Sequence, residues 1–280
     1  LWRFNFQFHR QEGPRGRVVG CKNLSLLRER IADFVLRRRK DEVLTQLPPL
    51  TEQTRYCPLS DAQREVEERC RGEATRLLAV AARRSLSPSE QKALQALLAK
   101  ARQASDALEL ADPEGGQSAS PKLDEFEAVV AEIAAQGTSK VLVFSEWRGM
   151  LELAAKRLDG LGIGHSTLHG GVPSDDRPAL IERFRTDPDL LVLLSTDAGG
   201  LGLNLQVASY VIHLDLPWNP ARLDQRTSRA HRLGQNRGVT VTYLCAETGI
   251  ERGIEGTLAS KRAVRSAALD ADSDVETLDG

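Results

Sequence analysis

The chain has 280 residues, long enough for one large domain or two small ones, each with its own core. Its 38 basic and 39 acidic residues leave a net charge of −1, so any nucleic-acid surface must be local, as the clusters Arg37 to Lys40 and Arg226 to Arg237 allow. Cys21, Cys57, Cys70 and Cys245 lie far apart with no CxxC pair, which suggests neither a zinc site nor a disulfide framework and fits the reduced thiols of a cytosolic protein. Apolar runs such as Leu190 to Leu194 fall far short of the roughly 18 residues that a membrane helix needs, and no signal peptide opens the chain. The start at Leu1, without methionine, reads as a fragment of something longer.

Residues 1–58 are mixed. An aromatic alternation, LWRFNFQFH, leads to a Gly/Pro turn around Gly13 to Gly16, and then to a helical pattern carried by Leu24, Leu27, Ile31 and Phe34, which ends at Pro48 and Pro49. From Ser60, with Gln63 three residues on, a capping box predicts a helix, and Ser87, Pro88 and Glu90 predict a second, making residues 60–110 a helical hairpin. The stretch Ala111 to Ala119 carries a proline and paired glycines and reads as a linker, after which a new domain is expected.

Beyond it, helix and strand patterns alternate. Ser120 and Pro121 open a helix with Leu123, Phe126, Val130 and Ile133 on one side. Strands are predicted at Val141 to Phe144, Ser166 to Leu168, Leu190 to Leu194, Tyr210 to Leu214 and Val239 to Leu244. Repeated βα units with continuously apolar strands imply an α/β fold with a parallel sheet covered on both faces and ligands at the carboxyl ends of the strands. Glu251 to about Ala268 reads as a final helix, and the acidic tail from Asp270 to Gly280 as loose.

Three loops follow predicted strands. Ser145, Glu146 and Trp147 fit a helix start as well as a site. Gly170 and Gly171 in LHGGVP allow close backbone approach, although a tight turn explains them equally. STDAGGLGLNL, Ser195 to Leu205, offers free N–H groups and small hydroxyls that suit phosphate oxygens. A fourth segment, QRTSRAHRLGQ, is predicted to be helical, with Asn219 as a cap, Pro220 at the first position and Gly234 as the stop. Gln225, Arg229 and Arg232 then sit at i, i+4 and i+7 on one face, and paired guanidinium forks suit a phosphate chain. Charge pattern alone also fits a solvated helix face. Trp218 reads as an aromatic packed at the sheet edge rather than a base-stacking platform, and Arg37 to Arg39 fit DNA phosphates and a solvated linker alike.

The order of these segments carries a resemblance. From about Ser120 to Gly280, the motifs KVLVFSEW, LHGGV, STDAGGLGLNLQ, DLPWNP and QRTSRAHRLGQ resemble the second RecA-like lobe of helicase superfamily two, and specifically the Swi/Snf-type DNA translocases. FVLRRRKDEVLTQLPP is similar to that family's inter-lobe segment, and LWRFNFQFH to the end of the first-lobe region in bacterial members; the likeness is weakest between Arg64 and Ala119. It implies a RecA-like parallel sheet flanked by helices on both faces, divided as an inter-lobe segment at 1–58, a helical protrusion at 59–112 and a carboxy-terminal lobe with a brace helix at 113–280.

The same resemblance implies roles. Arg229 and Arg232 would be arginine fingers reaching the γ-phosphate of ATP, with Gln225 orienting beside them. Asp197, Gly199, Gly200 and Asn204 would couple nucleotide state to DNA, and His169, Gly170, Ser195 and Thr196 would lie near the DNA backbone. One departure is Ser228, where many relatives have glycine or aspartate, which puts the local contact there in doubt. ATP and Mg2+ would be held mainly by the first lobe of the same polypeptide, since no glycine stands immediately before a lysine here and no DExH-like run is present. The expectation is therefore half of a DNA-dependent ATPase that is inactive by itself, acting on double-stranded DNA in the bacterial cytoplasm at the nucleoid, with no membrane partner. Two alternatives stay open: the second lobe of a strand-separating RNA or DNA helicase, and a non-catalytic interaction module of the same fold.

Overall fold

The computed structural model describes residues 2–12, 17–35, 46–114, 119–137, 139–197, 204–270 and 277–279. Gly199 and Gly200, the cluster Arg37 to Lys40 and residues 115–118 of the linker after Ala111 lie outside the described residues. The chain forms two compact units, one of residues 1–46, 218–220 and 255–280, the other of 47–217 and 221–254.

The smaller unit begins with helix α1 (Trp2–Phe8), strands β1 (His9–Glu12) and β2 (Arg17–Cys21), and helix α2 (Leu24–Ile31). The alternating aromatics form a helix and not a strand, because Phe4 and Phe8 stand one turn apart and meet at 4.9 Å between ring centroids. Phe8 and Leu24 are buried.

The larger unit opens with β3 (Leu50–Cys57), followed by the hairpin helices α3 (Asp61–Arg83) and α4 (Pro88–Asp106) and the short α5 (Leu108–Ala111). Both expected capping boxes form. Ser60 Oγ accepts from Gln63 N at 3.3 Å while Gln63 Oε1 accepts from Ser60 N at 3.1 Å, and Ser87 and Glu90 repeat the exchange at 3.3 and 2.8 Å. Small buried residues, Ala74, Ala101 and Ala104, let α3 and α4 approach, and Gln63 Nε2 crosses between them to the Ala104 carbonyl at 2.8 Å.

Then come α6 (Pro121–Ala135), β4 (Lys140–Phe144), α7 (Arg148–Gly160), β5 (Gly164–Leu168), α8 (Arg177–Thr186), β6 (Leu190–Ser195), β7 (Ala208–His213), α9 (Pro220–Thr227) and β8 (Val239–Ala246). The sheet is six-stranded and parallel throughout, in the order β3-β8-β7-β4-β6-β5. Its centre is apolar on both faces, as a parallel sheet flanked by helices requires: on one, Val141, Val143, Val192, Leu194, Ile212 and Leu244 pack with Phe126, Val130 and Ile133 of α6 and Leu151 and Leu158 of α7, and on the other Leu142, Leu193, Val211 and Val241 are buried. All five expected strands are present. β3 is an addition: LTEQTRYC is polar without interruption from Thr51 to Arg55, so it lacks the period-two signal, and it joins as an edge strand through its backbone register with β8.

The last long helix is α10 (Ile250–Leu269), followed by β9 (Leu278–Asp279), which pairs antiparallel with β2. The acidic tail, expected to be loose, thus ends in a short paired segment; its residues 271–276 lie outside the described residues. Within the smaller unit, Arg28 Nη1 donates to the Ala267 carbonyl at 2.6 Å, and Lys261 Nζ to that of Trp218 at 2.8 Å.

A buried charge cluster ties elements of the larger unit together. Lys122 in the first turn of α6 donates to Asp106 Oδ1 at 2.7 Å and to both oxygens of Glu251 at 2.9 and 2.8 Å, and all three side chains are 1% exposed. Glu251 Oε2 also accepts the Ala246 amide at 2.6 Å. The ends of α4 and β8 and the starts of α6 and α10 meet at one point.

Candidate nucleotide and nucleic-acid site

The carboxyl ends of β4, β5 and β6, with α9 and the turn after it, enclose a cavity of about 790 Å3. Phe144, Glu146, Trp147 and Arg148 line it from the first loop, His169, Gly170 and Gly171 from the second, Thr196 and Asp197 from the third, and Arg222, Gln225, Arg226 and Arg229 from the fourth segment. A parallel sheet places its ligand crevice at this end, because every βα loop emerges there.

The first loop is held by Asp215, just beyond β7. Its carboxylate accepts from the Ser145 hydroxyl and, at 2.9 and 3.1 Å, from the Glu146 amide, while Ser145 Oγ accepts from Trp147 N at 3.0 Å. That turn presents Glu146 and Trp147 to the cavity. In the second loop His169 Nδ1 accepts from Gly171 N at 3.0 Å, which puts the proton of the neutral ring on Nε2.

The fourth segment departs from expectation. Helix α9 starts at Pro220, as predicted, but ends at Thr227, so Gln225, Arg229 and Arg232 do not share one helical face. Ser228 turns its hydroxyl back to the Asp224 carbonyl at 2.5 Å, and the amides of Arg229 and Ala230 reach back only three residues, tightening the turn. The Arg229 carbonyl leaves the helix ladder altogether and accepts from Leu205 N at 3.0 Å. Gln235 fastens the far side, its Nε2 donating to the carbonyls of Ala208 and Ala230 at 2.8 and 3.3 Å, and Gly234 at φ +91° makes the reversal.

Of the expected site residues, His169, Gly170, Thr196, Asp197, Gln225 and Arg229 are brought together around the cavity. Ser195 is not: it is buried at the end of β6, with its hydroxyl on the Thr196 carbonyl at 3.0 Å. Asn204 and Arg232 pair with each other, Arg232 Nη1 on Asn204 Oδ1, and neither lines the cavity. Trp218 is 39% exposed.

Several residues that sequence reasoning did not single out dominate the electrostatics. Arg226, 2% exposed, grips Asp197 through Nε at 2.6 Å and Nη2 at 3.2 Å, and its Nη1 reaches the Asp215 carbonyl at 3.4 Å. Arg222 bonds Glu146 at 2.9 Å and stands 3.6 Å from Asp197. Arg102, on α4, bonds the other Glu146 oxygen at 2.5 Å. The available signal was an acid after each of three strands, Glu146, Asp197 and Asp215, against Arg222 and Arg226 on the following helix, but which partners meet is a tertiary fact.

Both carboxylates that line the cavity, Glu146 and Asp197, are therefore committed to arginines. Among the described residues, nothing forms a hydrogen bond or ion pair with the Arg229 side chain. Burial, and after it the neighbouring Arg232, push the Arg229 guanidinium below its ordinary value, and Asp197 offsets part of that. Four arginines and two neutralised acids make the lining suited to a polyanion. Among the described residues no group of three or more His, Cys, Asp or Glu side chains is placed to hold a metal ion, and no helix is long and apolar enough to cross a membrane.

Residues 3–109 match the SNF2-related domain and residues 124–234 the helicase conserved C-terminal domain. The putative ATP-dependent helicase/translocase YwqA of Bacillus subtilis is 32% identical over 260 residues, covering 90% of this chain and 28% of YwqA. The helicase-like transcription factor CHR27 of Arabidopsis thaliana is 41% identical over 135 residues, 48% of this chain and 13% of that protein. The chain thus spans a minor part of the length of these curated relatives. Among solved structures, the Sulfolobus solfataricus SWI2/SNF2 ATPase core in complex with dsDNA superposes with a TM-score of 0.64 at 28% identity, covering 86% of this chain and 50% of that one. The sheet with its flanking helices is the RecA-like architecture of SWI2/SNF2 ATPases. The chain carries an SNF2-related segment joined to a helicase conserved C-terminal domain, and its homologues are Swi/Snf-type ATPases and helicases.

Proposed function

We propose that this chain is the carboxy-terminal half of an ATP-dependent double-stranded-DNA translocase, and that its cavity is one side of a composite nucleotide site. The observation that carries the reading is Arg229: a guanidinium on a cavity at the carboxyl ends of the strands, without a partner among the described residues, beside acids already paired. ATP supplies the transferable γ-phosphoryl group when bound. Arg229 would meet its negative charge, Gln225 would orient beside it, and Arg232, held by Asn204, would brace the turn and join as the second finger. Asp197 and Asn204, with Gly199 and Gly200, would pass nucleotide state to a DNA track that includes His169, Gly170 and Thr196, with the buried Ser195 supporting Thr196 from behind. The P-loop and the carboxylates for Mg2+ are assigned to a first RecA-like lobe, residues 1–58, 59–112 and 113–280 forming the inter-lobe, protrusion and second-lobe segments, and the site of action to the bacterial cytoplasm. Support comes from the DNA-bound SWI2/SNF2 core among the similar structures.

The test is ATP hydrolysis by the full-length protein with and without double-stranded DNA. Arg229→Ala should lower the DNA-stimulated turnover by about a thousandfold, the scale of an arginine finger. Unchanged turnover would overturn the catalytic reading and favour an interaction module of the same fold. Strand displacement without translocation along duplex DNA would instead favour an unwinding helicase.

A further inference from the structure

We propose that Arg102, on the second helix of the hairpin, is a positioning residue for the cavity, which keeps Glu146 neutralised so that Arg229 stays open to an anion. The proposal rests on the nucleotide reading of the cavity. Arg102 does not line the cavity, yet it is 7% exposed and spends its guanidinium on that wall. Nη2 bonds Glu146 Oε2 at 2.5 Å and the Leu216 carbonyl at 2.9 Å, and the guanidinium lies 5.4 Å from the centre of the Trp147 ring.

From there a chain of alternating charge crosses the cavity wall. Glu146 takes Arg102 on one oxygen and Arg222 on the other, at 2.5 and 2.9 Å. Arg222 leans on Asp197 at 3.6 Å, Asp197 holds Arg226 at 2.6 Å, and Arg226 stands 3.6 Å from Asp215. Three cations and three anions alternate, and Arg229 is left over. Without Arg102, Glu146 would keep one guanidinium for two oxygens and put unmatched negative charge on the wall where a phosphate chain is to bind. The hairpin thereby acquires a part in the site through charge, although none of its residues lines the cavity.

A double-mutant cycle on ATPase kinetics of the full-length protein tests this, with ATP as the probe. Arg102→Gln should raise KM for ATP about tenfold with a smaller change in kcat. Glu146→Gln alone should lower KM, since it takes negative charge off the wall, and combined with Arg102→Gln should bring KM back to or below the starting value. If Arg102 only fastens the hairpin to the wall, removing Glu146 breaks the same contact, so both single variants raise KM and the pair is not rescued; that result overturns the proposal. The Glu146→Gln arm decides even if Arg102→Gln fails to fold. Turnover lost in Arg229→Ala with a KM for ATP that is indifferent to Arg102→Gln overturns this inference alone, whereas turnover indifferent to Arg229→Ala overturns the nucleotide reading beneath it.

Discussion

Asp106 keeps one oxygen on Lys122, while its Oδ2 is buried with no hydrogen-bond partner among the described residues. Burial lifts its carboxyl well above the usual carboxylate range; Lys122 opposes that and Glu251 adds to it. A carboxyl raised in the folded state gives stability that is fully present below the unfolded value and is lost as pH rises through the folded one. Asp106→Asn, which imitates the protonated acid, should therefore fare better against the parent at pH 8 than at pH 5 in thermal melts. A difference in melting temperature that is constant with pH would refute this. The same scale shows why the turn after Thr227 escaped sequence reasoning. Arg229 and Arg232 have helical spacing, but Ser228 bonding back to Asp224 and the Arg229 carbonyl turning to Leu205 outweigh it.

At the scale of elements, local signals decide whenever their partners are near in sequence. The boxes at Ser60 and Ser87 start the hairpin helices where the residues say they should, and Ser120 Oγ accepts from Leu123 N at 3.4 Å to start α6. Ser60→Ala and Ser87→Ala should each lower unfolding free energy by about 1 kcal/mol in urea titrations, since each frees one N-terminal amide. A loss indistinguishable from zero at both would mean that tertiary packing holds the hairpin without its caps. β3 is the contrary case: TEQTR carries no alternation, and the strand exists because β8 offers a backbone edge in parallel register from Leu50 against Val239 to Cys57 against Ala246.

For the whole molecule, the larger unit gains its coherence from contacts distant in sequence, the plainest being Lys122 with Asp106 and Glu251. Lys122→Met leaves the Glu251 carboxylate buried without its cation and should cost about 3–5 kcal/mol in chemical denaturation. A loss under about 1 kcal/mol would show that the cluster relaxes to solvent. The amino-acid sequence by itself determined the alternating βα order, the five expected strands, the capped helices and the Swi/Snf-type likeness. Those depend on periodicities of 2 and 3.6 residues and on contiguous motifs. Only the tertiary structure decided that Arg229 opens on the cavity while Arg232 turns to Asn204, that Arg226 takes up Asp197, and that Arg102 reaches Glu146 from the hairpin. The physical reason is that an ion pair depends on which side chains the fold brings within a few ångströms, and Arg102 and Glu146 are 44 positions apart.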